Sequence, residues 1–522
     1  MKKLILLMLA LVMVVSVFAA CGDATTGSTP NKTTPTKPGG GTGTGDDETP
    51  EEEQINLDLD GIDYDGETVW VYHWKPDTGL EEFGMNAEDV ANDAVKDAIY
   101  KRNTRTEEDL GIVIDWQAPS GQSGYTRMQN FLDKLEAKKS NSGEYVDIIA
   151  AQARVMPYVM IKNHLTELNT YSDSLDLNKA WWPENIQEVF DIKGNMYFLS
   201  GDISANVLRM MTVLFVNKTT LESLGHDYDE FMGKILNYEW TLDDLISMTE
   251  GVYEDLDTAT AGPSKGDKFG LVTTYYHSDG LYAGLGYKYM ILSTADDQVF
   301  RLSSHIATET ALNYVTKMQN WNLTNDLYMD PAEKTYQDAF MEGDALFILD
   351  RAWFGFELQN TDVKYAVLPT PALDTAQEEY FTTIGNQFTA YGICDISEDY
   401  DRAAETLQTL GYYALSTTTP ALYEVSFIGK FSKDDYNIKM FDIIRGAITF
   451  DIGRVYDFYI SGTGDGYTNY FLPNIVSFPI RDITSKDVTF SFNSTGDPVR
   501  KLITEYIKER NKALLEFIDS KN

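Results

Sequence analysis

The sequence predicts an α/β protein whose first sheet is parallel, and three observations carry that prediction. Strand-like runs, from Thr68 to Trp74, Ile112 to Trp116 and Val146 to Ala151, alternate with stretches of helical period. Between the first two, Ala94, Val95, Ala98 and Ile99 recur on one helical face, and Gly111 stops that helix. Between the second and third, Met128, Phe131, Leu132 and Leu135 form an apolar stripe at helical spacing. Strand–helix repeats of this kind imply parallel pairing with right-handed crossovers. Ligands then meet the chain just beyond the carboxyl ends of the strands, where His73 to Asp77 and Gln152 to Arg154 lie.

Ahead of this body, Lys2 and Lys3 precede an uncharged apolar run, Leu4 to Ala20, which closes on Phe18-Ala19-Ala20-Cys21. Small residues before a cysteine mark a cleavage point, and the arrangement resembles the lipobox of bacterial lipoproteins. That resemblance implies a signal peptide over residues 1–20 and a diacylglyceryl group on Cys21. The competing reading is an uncleaved membrane helix, since the run is about long enough to span a bilayer. Residues 21–60 form a tether rich in Gly, Thr and Pro that ends in an acidic run. Such a segment buries too little apolar surface to offset ordering entropy. As a flexible coil it spans about 30 Å.

Further along, a hairpin is expected from Phe190 to Phe198, turning through Lys193-Gly194-Asn195. An apolar strand follows through Val213 to Val216. Thr241 should cap a helix that has acids in its first turn. The run Ala339 to Phe347 reads as a helix ended by glycine, then a strand leading to Trp353. The final stretch, through Leu502, Tyr506, Ile507 and Leu514, is helical.

Composition excludes several functions. The chain carries 81 acidic against 42 basic residues, a formal net charge of −39. A surface this acidic repels phosphates, so no nucleic-acid partner is expected, and contact with a membrane comes through the lipid anchor only. With two cysteines, one of them Cys21, neither a disulfide framework nor a Cys/His zinc set is available. Cys394, in an apolar run, reads as a small buried hydrophobe. Asn56 to Glu67 nearly fits a calcium loop, but a strand rather than a helix follows, so it reads as an acidic turn. Gly462 to Gly466 lacks dinucleotide-loop spacing and reads as a flexible turn. No phosphate loop, nucleophile elbow or zinc-protease motif occurs. Carboxylates are too numerous to single out an acid/base pair.

The order of these features resembles the extracellular solute-binding lipoproteins of ABC importers, in the carbohydrate-binding, maltose-binding class of family 1. The likeness rests on the Asp147-Ile148-Ile149 strand, the Gly194-Asn195-Met196-Tyr197-Phe198 hairpin and the Phe215-Val216-Asn217-Lys218 strand end. It also rests on Trp240-Thr241 at a helix start, the Phe340-to-Ala345 helix leading to Arg351 and Trp353, and the Leu368-Pro369-Thr370-Pro371 turn. It implies a two-lobe periplasmic-binding-protein-like fold of type II with hinge strands between the lobes. The lobes would be residues 61–204 plus 384–436 and 205–383 plus 437–522. Chain crossings would fall near Asp202 to Val213, Ile384 to Ile393 and Phe431 to Asp442. Relatives often carry an Asp-rich loop where this chain has Asp257 to Pro263, so no metal or other cofactor is expected.

The implied function is capture of a small-molecule ligand, a mono- or oligosaccharide, and its delivery to ABC permease subunits. The work would be done by a monomer anchored at the extracellular face of the cell membrane, with no enzymatic activity. Two alternatives use the same features: a surface-anchored glycoside hydrolase, and a sensory or adhesive lipoprotein. Sugars present apolar C–H faces and a rim of hydroxyls, so their sites pair flat aromatic rings with polar groups. The candidates are Trp74 and Gln152 beyond strands of the first lobe, Asp202 at the first crossing, Tyr276, Arg351, and above all Trp353.

Overall fold

The computed structural model describes residues 56–456, apart from 92, 120–124, 142, 184, 186–188, 257–261, 275, 296–298, 308, 331–334 and 426–434, and residues 508–521 apart from 509, 510 and 513. Cys21, the tether, most of the 257–263 loop and the Gly462–Gly466 turn lie outside the described residues. Among the described residues no helix is long and apolar enough to cross a membrane.

The opening βαβαβ unit forms as its pattern requires. Strand β1 (Glu67–His73) pairs in parallel with β2 (Ile112–Gln117) on one side and β3 (Ile148–Gln152) on the other. The turn before β1 holds Ile62 N to Leu59 O at 3.1 Å, with Gly61 at φ +83°. Helix α1 (Ala94–Leu110) links β1 to β2 and starts at Asp93, whose carboxylate accepts from Val95 N and Lys96 N at 3.0 Å. It buries Val95, Ala98 and Ile99 of the predicted stripe, while Ala94, at its first position, is exposed. Leu110 is buried at its last turn, and the helix ends at Gly111 with φ +62°. A side chain at Gly111 would be strained by that backbone, and its Cβ would also fall 2.1 Å from Asp63 Oδ1. Helix α2 (Tyr125–Ser140) links β2 to β3 and buries Phe131, Leu132 and Leu135.

A second sheet follows with strands β4 (Thr212–Asn217), β5 (Phe269–Thr274), β6 (Leu327–Asp330), β7 (Ala345–Arg351) and β8 (Tyr365–Leu368). Its order is β6-β5-β7-β4-β8, with β5, β6 and β7 parallel and β4 antiparallel to both its neighbours. The chain then returns to the first sheet, where β9 (Thr389–Ile393) lies antiparallel to β3. Each sheet thus receives one antiparallel strand directly after the chain crosses over from the other. With helices packed on both sheets, this is the two-lobe α/β arrangement of type II.

The two crossing segments run side by side. Leu199 bridges to Tyr391 and Met211 to Ile384, both antiparallel, and Gly385 N donates to Met210 O at 2.8 Å. The predicted third crossing, near Phe431 to Asp442, falls partly outside the described residues; its described part, from Asp435, lies within helix Asp435–Gly446.

Local expectations resolve similarly. The hairpin pairs Asp191–Ile192 with Asn195–Met196 through Lys193 at φ +54° and Gly194 at φ +85°. Two successive positive φ values are what a tight two-residue hairpin turn demands. Thr241 forms a capping box with Asp244 at the start of helix Leu242–Thr249. Gly343, at φ +84°, separates helix Thr335–Met341 from β7. Cys394 is fully buried, and that burial pushes its thiol up to about 12, so it is an inert core residue.

Candidate functional site

The carboxyl ends of parallel strands in both sheets open onto a cleft of ≈ 580 Å³. β3 delivers Gln152, with Arg154 just beyond it, and the loop after β1 delivers Thr78 and Leu80. From the second sheet, β5 leads into Tyr276 and His277, and β7 ends in Asp350 and Arg351, with Trp353 next. The β5–β7 register sets Ile348 opposite Val272, which places Asp350 level with Thr274 and brings the two strand exits together. The returning crossing adds Gly385, Asn386 and Gln387.

Asp350 is the organiser of this wall. It is buried and accepts from Tyr336 Oη at 2.8 Å, Gln337 Nε2 at 2.7 Å and Arg351 N at 2.6 Å. Burial raises its pKa, while those donors and the Arg351 charge oppose the rise. His277 Nδ1 stands 3.3 Å from Asp350 Oδ1. Burial, helped by the neighbouring Arg351 charge, holds the His277 pKa well below its usual value, so the ring is neutral at physiological pH.

Arg351 reaches across to the crossing segments. Its Nη1 donates to Thr212 Oγ1, and its guanidinium lies against Gly385, where a Cβ would sit 2.9 Å from Cζ and from Nε. Burial lowers its pKa to about 10, with Arg454 adding to the fall and Asp279 and Asp350 resisting it. Gly385→Ala is therefore expected to push the guanidinium out of place and weaken ligand binding about ten-fold. Calorimetry would check this, with the unliganded thermal midpoint moving little.

Trp353 is half-buried and lies two residues beyond the end of β7, its backbone N–H donating to Arg209 O at 2.9 Å. Gly79, in the loop after β1, lies so close that a Cβ there would be 3.5 Å from Trp353 Cζ2. The indole thus bridges a wall of the second sheet and a loop of the first. Tyr276, 48% exposed, presents a second ring to the cleft.

Of the six predicted binding residues, Gln152, Tyr276, Arg351 and Trp353 line this cleft, and two do not. Trp74 continues the β1 ladder, its N–H donating to Ala150 O at 2.9 Å, so its side chain faces the core rather than a loop. Its indole is 8% exposed and donates to Thr389 Oγ1 at 2.7 Å. Asp202 is likewise buried, accepting from Thr419 Oγ1 and pairing with Arg445. It anchors the first crossing and does not reach the cleft. Sequence reasoning missed Arg454, whose Nη2 pairs with Asp279, and Asp350 beside the chosen Arg351. Position at a strand end could have nominated Asp350; no local signal nominates Arg454. Among the described residues no cluster of three or more His, Cys, Asp or Glu could hold a metal.

No family model matches the chain, and no curated protein does. Solved structures similar to it include an ABC substrate-binding protein from Listeria monocytogenes in complex with cycloalternan, at 11% identity and TM-score 0.49 over 86% of this chain and 99% of that one. Another is the galacto-N-biose-/lacto-N-biose I-binding protein of an ABC transporter from Bifidobacterium longum, in complex with lacto-N-biose. It shows 13% identity and TM-score 0.49 over 87% of this chain and 98% of that one. A third is the maltose-binding periplasmic protein of Listeria monocytogenes in complex with maltose, at 16% identity and TM-score 0.47 over 82% and 100%.

Proposed function

We propose that this protein is an extracellular solute-binding lipoprotein that captures a carbohydrate in the cleft and delivers it to the permease of an ABC importer. One observation carries the reading. The cleft is lined from both sheets, and it sets the rings of Trp353 and Tyr276 among amides and guanidiniums. Apolar rings beside fixed polar groups suit the faces and hydroxyl rim of a sugar. The two crossing segments beside the cleft fit a hinge about which lobes of residues 61–204 plus 384–436 and 205–383 plus 437–522 would close.

A thermal-shift screen against a glycan panel tests the proposal. A bound glycan raises the midpoint, because ligand that binds only the folded state stabilises it. If no glycan shifts the midpoint or gives calorimetric heat, the carbohydrate reading fails. Turnover of a bound glycan would favour the surface-anchored hydrolase instead.

The anchor is tested separately. Cys21→Ala is expected to release the protein from membranes or leave an unprocessed precursor, read by fractionation and mass spectrometry. Unchanged retention with a normally processed chain would sink the lipoprotein assignment.

A further inference from the structure

The charge balance of the cleft is the reverse of the balance of the protein. Across the chain acidic residues outnumber basic ones, 81 to 42. Among the cleft's described lining residues, the cations are Arg154, Arg351 and Arg454 and the carboxylate is Asp350. His277 adds no positive charge because burial keeps it neutral. The carboxylate of Asp350 is itself taken up by Tyr336, Gln337 and the Arg351 backbone. Arg454 spends its Nη2 on Asp279 behind the wall.

Arg351 is different. Among the described residues its guanidinium donates one hydrogen bond, to Thr212 Oγ1, and no carboxylate lies within ion-pair distance, although the charges of Asp279 and Asp350 act on it from farther off. A guanidinium is a planar fork of donors that matches a carboxylate in two parallel hydrogen bonds. Holding such a group in a part-buried wall, next to a second arginine, is favoured when an anion in the cleft completes it. The lowered Arg351 pKa is a separate sign of the same incomplete compensation. Trp353, two residues on, lines the same cleft with its ring.

We infer that the ligand is an acidic saccharide, a uronate-bearing sugar whose carboxylate seats on the Arg351 guanidinium while its ring lies against Trp353. This rests on the carbohydrate reading above and narrows it. The rest of the acidic protein opposes an anion at long range, so selectivity comes from the cleft and not from steering.

Calorimetry on the wild-type protein with matched pairs tests the inference: galacturonate oligomers against galactose oligomers of the same linkage, and glucuronate-containing against neutral gluco-oligosaccharides. A galactose 6-sulfate oligomer and a simple dicarboxylate serve as further probes. At least one uronate should bind ten-fold or more tighter than its neutral partner. Arg351→Gln should erase that preference and Arg351→Lys should keep part of it, with the thermal midpoint of each unliganded variant reporting folding. Equal or tighter binding of the neutral partners would overturn the acidic assignment and leave the carbohydrate reading standing. Tighter binding of the sulfated sugar would overturn the carboxylate seat. A uronate preference that survives Arg351→Gln would remove Arg351 from the seat. Binding of the dicarboxylate alone, or of none of these probes, would overturn the inference, and the wider glycan screen would then decide the carbohydrate reading independently.

Discussion

Replacing Glu82 with alanine is expected to lower stability by about 3–5 kcal/mol, the range for removing one member of a buried charged network. The thermal midpoint should fall by about 10 °C. Glu82 is fully buried, and its carboxylate accepts from Ser204 Oγ at 2.9 Å, from Asn206 N at 3.0 Å and from Thr389 Oγ1. Ser204 in turn accepts from Thr389 N at 3.1 Å, and Trp74 donates to Thr389 Oγ1. Close by, Arg102 donates to Glu82 O and Ile203 O, and Arg209 to Glu81 O. Alanine would leave donors without an acceptor and two buried guanidiniums without their nearest carboxylate. Burial raises the Glu82 pKa, while its donors and Arg209 oppose the rise. Glu82→Gln keeps an acceptor and should cost less. Equal midpoints for Glu82→Ala and wild type in thermal unfolding would show that the network contributes nothing.

Trp353→Ala should weaken ligand binding at least ten-fold, about 1.4 kcal/mol, while the unliganded midpoint stays close to that of wild type. The indole is only half-buried, against Gly79 and the end of β7, so the core loses little when it is truncated. A ring that loses a sugar face loses both area and stacking. Calorimetry with whichever glycan the screen selects would check this. A large fall in stability with unaltered affinity would make Trp353 a core residue.

The parts of the fold legible in the sequence are those whose physics is local. The stripe of α1, the αL end at Gly111, the Lys193-Gly194 turn and the Thr241 cap each depend on residues within a few positions of one another. Strand exits are readable too, and Gln152, Arg351 and Trp353, nominated there, line the cleft. Trp74 lies in the core because its indole donates to Thr389 Oγ1, 315 positions away, a partner that no local pattern reveals. Asp202 was misplaced because its partner Arg445 lies 243 positions away. Arg454 arrives on the short helix Ile452–Val455, with nothing nearby to mark it as a cleft residue. Polar networks closed by distant segments leave no periodic trace.

The residues proposed to hold the ligand share hydrogen bonds with the segments that join the two sheets. Ala352 N donates to Met211 O, Trp353 N to Arg209 O and Gly385 N to Met210 O, while Arg351 holds Thr212. Receptor and joint are therefore one piece of backbone. Any rotation at residues 209–212 must carry the Arg351 fork and the Trp353 face with it. By thermodynamic reciprocity, a ligand that draws those two groups together biases the joint by the same free energy. If the joint is the hinge proposed above, evolution of a new specificity at this wall would retune its balance at the same stroke, so substitutions that alter which ligand is held should also alter how readily it is let go.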